Sequence, residues 1–209
     1  VNPPQIIEIE KPGPTLRFSF GGDWKALKWD DHVAYREGLE RLKRPEEGDS
    51  DAIDVIAWHS KATCFLEVKD FRVWSKDVRK PKPSELATKI AFKVRDTIAG
   101  IVGARHSRND PTEPWDQLVQ TWARRCDVFV VFWFEEDHLG SDEARKAAFA
   151  NLTDQIEAKL SWLKPRVLVR GLKVSARLGN HVPLADITAR SLLAVPPRAT
   201  PPGAAPTRR

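Results

Sequence analysis

The sequence predicts an α/β fold, a mixed central β-sheet flanked by helices, and three features carry that expectation. Residues 51–58 and 62–69 are strand-like and separated by a turn at Ser60-Lys61. Residues 84–105 place Leu86, Ile90, Val94, Ile98 and Ile101 at helical spacing. Residues 127–134 form a dense apolar run of strand length, too short for a typical helix.

Taken in order, residues 1–14 hold four prolines and read as an extended lead-in. Residues 15–20 alternate as a short strand does and stop at Gly21-Gly22, a turn rather than a phosphate loop. Asp30 or Asp31 can cap a helix running to about Arg44, with Tyr35, Leu39 and Leu42 on one face, ended by Pro45 and Gly48. The hairpin follows, then a basic loop over 71–83 and the long helix. Pro114 opens a shorter helix to about Arg125. After the apolar strand, Ser141 caps a helix whose first turn carries Asp142 and Glu143, and Phe149, Leu152, Ile156, Leu160 and Leu163 form its buried face. Residues 166–170 read as a last strand. From Pro196 onward the composition cannot bury a core. The expected organisation is a lead-in over 1–14, one domain over 15–180 with helices on both faces of its sheet, and a Pro-rich, disordered tail over 181–209.

A chain of 209 residues that is 41% hydrophobic suits one well-buried domain. Two cysteines are too few for a disulfide scaffold or a zinc site, and Cys64 in its apolar run reads as a small core residue. The five histidines, His32, His59, His106 and His138 among them, make no zinc spacing. No segment approaches the roughly 18 apolar residues of a membrane span, and no signal pattern opens the chain, so a cytoplasmic protein is expected. The charge of +5 is unevenly placed: residues 70–108 hold ten Lys or Arg against four acids, a net of +6. Such a segment is the electrostatic footprint of phosphate-backbone binding. Arg72, Trp74, Lys76, Arg79, Lys80, Lys82, Lys89 and Lys93 are its candidate nucleic-acid contacts, Trp74 as a stacking platform.

The hairpin carries the chemistry. With Ser60 and Lys61 as the turn, paired residue numbers sum to 121, so Asp54 falls opposite Glu67 with Cβ atoms roughly 4.5–5.5 Å apart. Lys69, two residues on, shares that face. Ile53, Val55 and Ala57 face the other way with Cys64, Leu66 and Val68, a wholly apolar surface that helices can cover. Trp58 and Phe65 lie on the polar face, as packing residues or as a base platform. Directly opposed carboxylates repel unless a cation offsets them, and Mg²⁺ or Mn²⁺ suits such oxygen ligands. An ion there polarises a phosphate oxygen and acidifies a bound water, and an adjacent lysine steadies the developing charge. A second Glu-x-Lys, Glu157-Ala158-Lys159, sits in a helix and reads as solvated surface.

The segment Asp54, twelve residues, then Glu67-Val68-Lys69 resembles the PD-(D/E)XK, or restriction-endonuclease-like, nuclease superfamily over residues 29–134. The resemblance implies Asp54 and Glu67 as metal ligands, the Val68 carbonyl as a third, and Lys69 as the catalytic lysine. Ile53 stands where the family often has Pro. An acid in the first helix would be Glu37 or Glu40, and an extra edge strand would be 45–50 or 15–20. The Gln-x-x-x-Tyr signature of one large branch is absent from the long helix, which leaves the branch open. The expectation is a Mg²⁺-dependent phosphodiesterase acting on DNA before RNA, serving restriction, repair or anti-phage defence, with a homodimer or partner subunit for targeting. The alternative is an inactive nuclease-fold protein that binds nucleic acid or serves as a scaffold.

Overall fold

Alternation of apolar and polar residues, which marks one buried face per strand, runs through more of this chain than its hairpin. The computed structural model describes residues 3–11, 13–38, 52–72, 81–107, 114–136, 141–175, 177–178 and 184–192. Its strands are β1 (Gln5–Ile9), β2 (Leu16–Phe20), β3 (Lys25–Lys28), β4 (Val55–His59), β5 (Ala62–Asp70), β6 (Asp127–Glu135), β7 (Arg166–Arg170) and β8 (Ile187–Ser191). Its α-helices are α1 (Val33–Glu37), α2 (Pro83–Ser107), α3 (Trp115–Ala123) and α4 (Asp142–Lys159).

The mixed five-stranded sheet has the order β3-β4-β5-β6-β7. Strands β3, β4 and β5 run antiparallel, and β6 and β7 continue parallel to β5 after helical crossovers. Hairpin pairing runs from Val55↔Leu66 to His59↔Ala62, the register that sums to 121. Ser141 caps α4 by accepting from the Ala144 N–H at 3.3 Å, and Phe149, Leu152 and Ile156 face inward. The exposed Glu157-Ala158-Lys159 lies on that helix surface.

Several expectations are corrected. Helices α2, α3 and α4 cover one face only, over Ile56, Trp58, Phe65, Val130, Phe132, Val167 and Val169. The other face, with Val55, Ala57, Cys64, Leu66, Val68, Val131 and Trp133, is buried under a second sheet of order β1-β2-β8. Phe18 of β2 meets Trp133 of β6 edge to face at 5.4 Å. Being covered on both sides explains the unbroken apolar run of β6.

The lead-in therefore contains β1, and the stretch expected to begin the tail contains β8, both antiparallel to β2. Residues 15–20 belong to this second sheet. The edge of the main sheet is filled instead by β3, and Gln5 brackets Ala26 there with its side-chain amide, donating to the carbonyl and accepting from the N–H. That closes part of an open edge. The first helix spans Val33–Glu37 with His32 as its cap, accepting from the Ala34 N–H at 3.1 Å. Asp31 pairs with Lys28 and Arg36 instead. The expected continuation to Arg44 lies outside the described residues.

Burying Ile187 (0% exposed) in the second sheet makes this strand part of the core. Ile187→Ala should cost about 2–5 kcal/mol in urea unfolding. A loss below about 0.5 kcal/mol, the size of a surface change, would show that β8 does not belong to the cooperative unit.

Candidate active site

At the end of the hairpin remote from its turn, backbone and carboxylates come together. Pairing of β3 with β4 has a register summing to 83, and it continues one step beyond the strand: the Trp29 N–H donates to the Asp54 carbonyl at 2.9 Å. The Ile53 N–H turns away to Thr97 Oγ1 of α2 at 3.1 Å, and the Ile53 side chain joins the helix-side core rather than the face of Val55. Asp54 thus sits just outside β4, one residue beyond the last ladder pair. It does not complete a symmetric cross-strand pair with Glu67. Its Oδ2 accepts from the Val68 N–H at 2.6 Å and its Oδ1 from Lys11 Nζ at 2.9 Å.

Glu67 points toward the helices and is fully buried. Its Oε1 accepts from Lys93 Nζ of α2 at 2.9 Å and lies 3.3 Å from Lys69 Nζ, while its Oε2 is buried without a partner. Lys69 keeps about a third of its side chain exposed. N–H and C=O of one residue point to the same side of an antiparallel ladder. The Val68 carbonyl therefore shares the side on which its N–H meets Asp54.

The structure adds a third acid. Asp30 follows Trp29, and its Oδ1 is buried without a partner. Burial, Asp54 and Asp31 push its carboxyl up from 3.8 to about 6, against the pull of Lys28 and Lys11. Burial and Asp54 likewise raise the Glu67 carboxyl, opposed by Lys93 and Lys69. Burial pulls the Lys93 ammonium down, but Glu67, Asp54 and Asp30 outweigh it and the group is raised overall. Asp30, Asp54 and Glu67 therefore share one electrostatic environment with Lys11, Lys69 and Lys93.

Other expected site residues divide. Glu37 is exposed on α1, and Glu40, Trp74, Lys76, Arg79 and Lys80 lie outside the described residues. Lys82, just before α2, and Lys89 on it are exposed, as a phosphate-binding surface needs. Lys93 is buried on Glu67, so it is no surface contact. Arg72 is a structural clamp: it pairs with Asp70 through both carboxylate oxygens and donates to the Pro14 carbonyl at 3.2 Å. Trp58 and Phe65 are core residues, the Trp58 indole donating to Gln117 Oε1 at 3.0 Å. A separate groove of about 350 Å³ lies beside Trp58, lined by Lys25, His59, Gln117 and Arg124.

Among the described residues, no three His, Cys, Asp or Glu side chains stand at metal-ligand spacing. A Mg²⁺ ion needs only one or two carboxylates, because it keeps several waters. The partnerless, buried Glu67 Oε2 is an oxygen of the kind such an ion takes. No described helix is long and apolar enough to cross a membrane. The chain matches no family model, no curated protein and no solved structure.

Because the Asp30 carboxyl is raised in the fold, the stability it contributes is complete below pH 3.8 and is lost as pH rises through about 6. At pH 7 without metal, Asp30→Asn should therefore stabilise the protein. The rise from 3.8 to about 6, discounted for partial exposure, corresponds to about 1–2 kcal/mol. Thermal melts at pH 7 and pH 3.5 check this, the gain being confined to the higher pH; a destabilised variant at pH 7 would refute it.

Proposed function

We propose that this chain is a divalent-metal-dependent nuclease, with DNA the favoured substrate over RNA, built on a restriction-endonuclease-like core. The observation that carries the reading is the buried pair Asp54 and Glu67 at the open end of the hairpin, one with a partnerless oxygen, beside a partly exposed lysine. In this reading Asp54, Glu67 and the Val68 carbonyl hold Mg²⁺ or Mn²⁺. When bound, the ion supplies Lewis-acid activation of the phosphate and of a water. Lys69, exposed on one side and held at Glu67 on the other, orients that water and steadies negative charge as oxygen adds to phosphorus. The P–O bond breaks to leave a phosphate monoester and an alcohol. Lys93 fixes the Glu67 carboxylate and touches no substrate. Lys82, just before α2, and Lys89 on it carry the nucleic-acid backbone. The meander β3-β4-β5, the α2 crossover and parallel β6 support the proposed core.

A second reading has its own observation. Lysines already neutralise both carboxylates, as a binding module that keeps the fold without the reaction would need. In that case the protein would bind DNA with steep salt dependence but leave it intact.

Incubation with supercoiled, linear and single-stranded DNA separates the two. Cutting should need Mg²⁺ or Mn²⁺, stop in EDTA, and fall at least about 100-fold in Lys69→Ala with folding intact. Cleavage that persists in Asp54→Ala would remove the assigned site. Binding without cutting under all these conditions selects the second reading. Lys82→Glu with Lys89→Glu should weaken DNA binding and flatten its dependence on salt, whichever reading holds.

A further inference from the structure

Lys11 lies in the turn between β1 and β2, far in sequence from the hairpin, yet its Nζ is 2.9 Å from Asp54 Oδ1. The other Asp54 oxygen is committed to the Val68 N–H, so Oδ1 is the oxygen through which Asp54 would meet an ion. On Glu67 the arrangement is reversed. Lys93 and Lys69 crowd Oε1, and Oε2 has no partner. An entering cation therefore finds Glu67 Oε2 open and Asp54 Oδ1 already taken by an ammonium.

The lysines differ in their freedom to leave. Lys93 has 11% of its side chain exposed and extends from the middle of a packed helix, whereas Lys11 has 27% exposed. The Lys11 turn is also anchored without Lys11. Arg72 joins the Pro14 carbonyl to Asp70, the last residue of β5, and donates to Ser191 Oγ of β8 at 3.4 Å. The Lys11 side chain can swing outward while this clamp holds the hairpin in place.

We propose that Lys11 is a tethered cation of the metal centre: its ammonium holds Asp54 Oδ1 in the metal-free protein, and a divalent, oxygen-preferring ion binds by displacing it. This rests on the metal-dependent reading above and adds a residue to it. The tether keeps the buried carboxylate neutralised and in position until the ion arrives, which lowers metal affinity relative to a site without it. Lys11 is a positioning residue in this role, acting through Asp54.

Calorimetric titration with Mn²⁺ alone tests the proposal without any cleavage assay. Lys11→Met and Lys11→Gln should bind Mn²⁺ about tenfold more tightly than the unmodified chain, whereas Lys11→Arg, which keeps the cation, should not. Glu67→Gln should lose the binding, which ties the signal to this centre. Melting supplies a second readout. The metal-free Lys11→Met protein should melt below the unmodified chain, and saturating Mn²⁺ should abolish that difference. Equal or weaker Mn²⁺ affinity in Lys11→Met and Lys11→Gln, with the unmodified chain binding normally, overturns the tether and leaves the metal centre standing. Absence of Mn²⁺ binding in every protein overturns the metal centre, and the tether with it.

Discussion

Carboxylates as deeply buried as Asp54 and Glu67 are costly unless opposite charge or hydrogen bonds replace the water they lose. Much of the surrounding architecture answers to that constraint. A backbone N–H of β5 meets one oxygen of Asp54, a lysine from the β1–β2 turn meets the other, and a lysine from α2 meets Glu67. Three separated parts of the chain must converge before the charges are balanced. Balance is still incomplete, because Glu67 Oε2 and Asp30 Oδ1 keep buried lone pairs without partners. An orphaned acceptor beside further acids is a place where stability gives way to function.

The second sheet belongs to that same solution. By packing β1, β2 and β8 on the face opposite Glu67, it buries Leu66 and Val68 and fixes the strand whose alternate residues form the site. It also delivers Lys11. The Arg72 clamp joins both ends of this arrangement, since Asp70, the Pro14 carbonyl and Ser191 lie on three segments that only the second sheet brings together. An arginine suits the task because its planar fork can serve several acceptors at once. A residue that looks like a substrate contact in a basic segment is therefore spent internally, and the exposed positive surface is narrower than the charge count of its segment.

The hairpin register, α2, α3, α4, β6 and β7 were legible in the sequence because their periodicity is long and their caps are local. The nearness of Asp54, Glu67 and Lys69 was legible only in part: a two-residue turn fixes the register as far as Val55↔Leu66, and Asp54 lies one residue beyond it. Lys11 and Asp30 were not, since each reaches the site through a contact distant in sequence. Recognising β3 would have found Asp30, because its register with β4 puts Trp29 beside Asp54. That strand has four residues and only Ala26 fully buried, so its alternation is faint. Strand β8 shows a clearer pattern, with Ile187 and Ala189 buried between exposed Thr188 and Arg190. Nearby prolines drew the composition toward a tail, although five residues suffice for a strand when a partner sheet waits.

Of the two lysines on Glu67, sequence position points one to catalysis and the other to nucleic acid, and what separates them in the fold is burial. Lys69 sits one strand period beyond Glu67 and keeps a solvent-facing side, so it can hold a carboxylate and still meet solvent. Lys93 approaches from the helix layer and is enclosed, so its contact with Glu67 is shielded from solvent. Removing Lys93 would leave a buried carboxylate beside Asp54 with less compensation, a structural loss before a chemical one. Removing Lys69 leaves Lys93 in place and the fold supported. The pairing of one fixed and one accessible lysine on the same oxygen lets this centre tolerate buried charge and still present a cation outward.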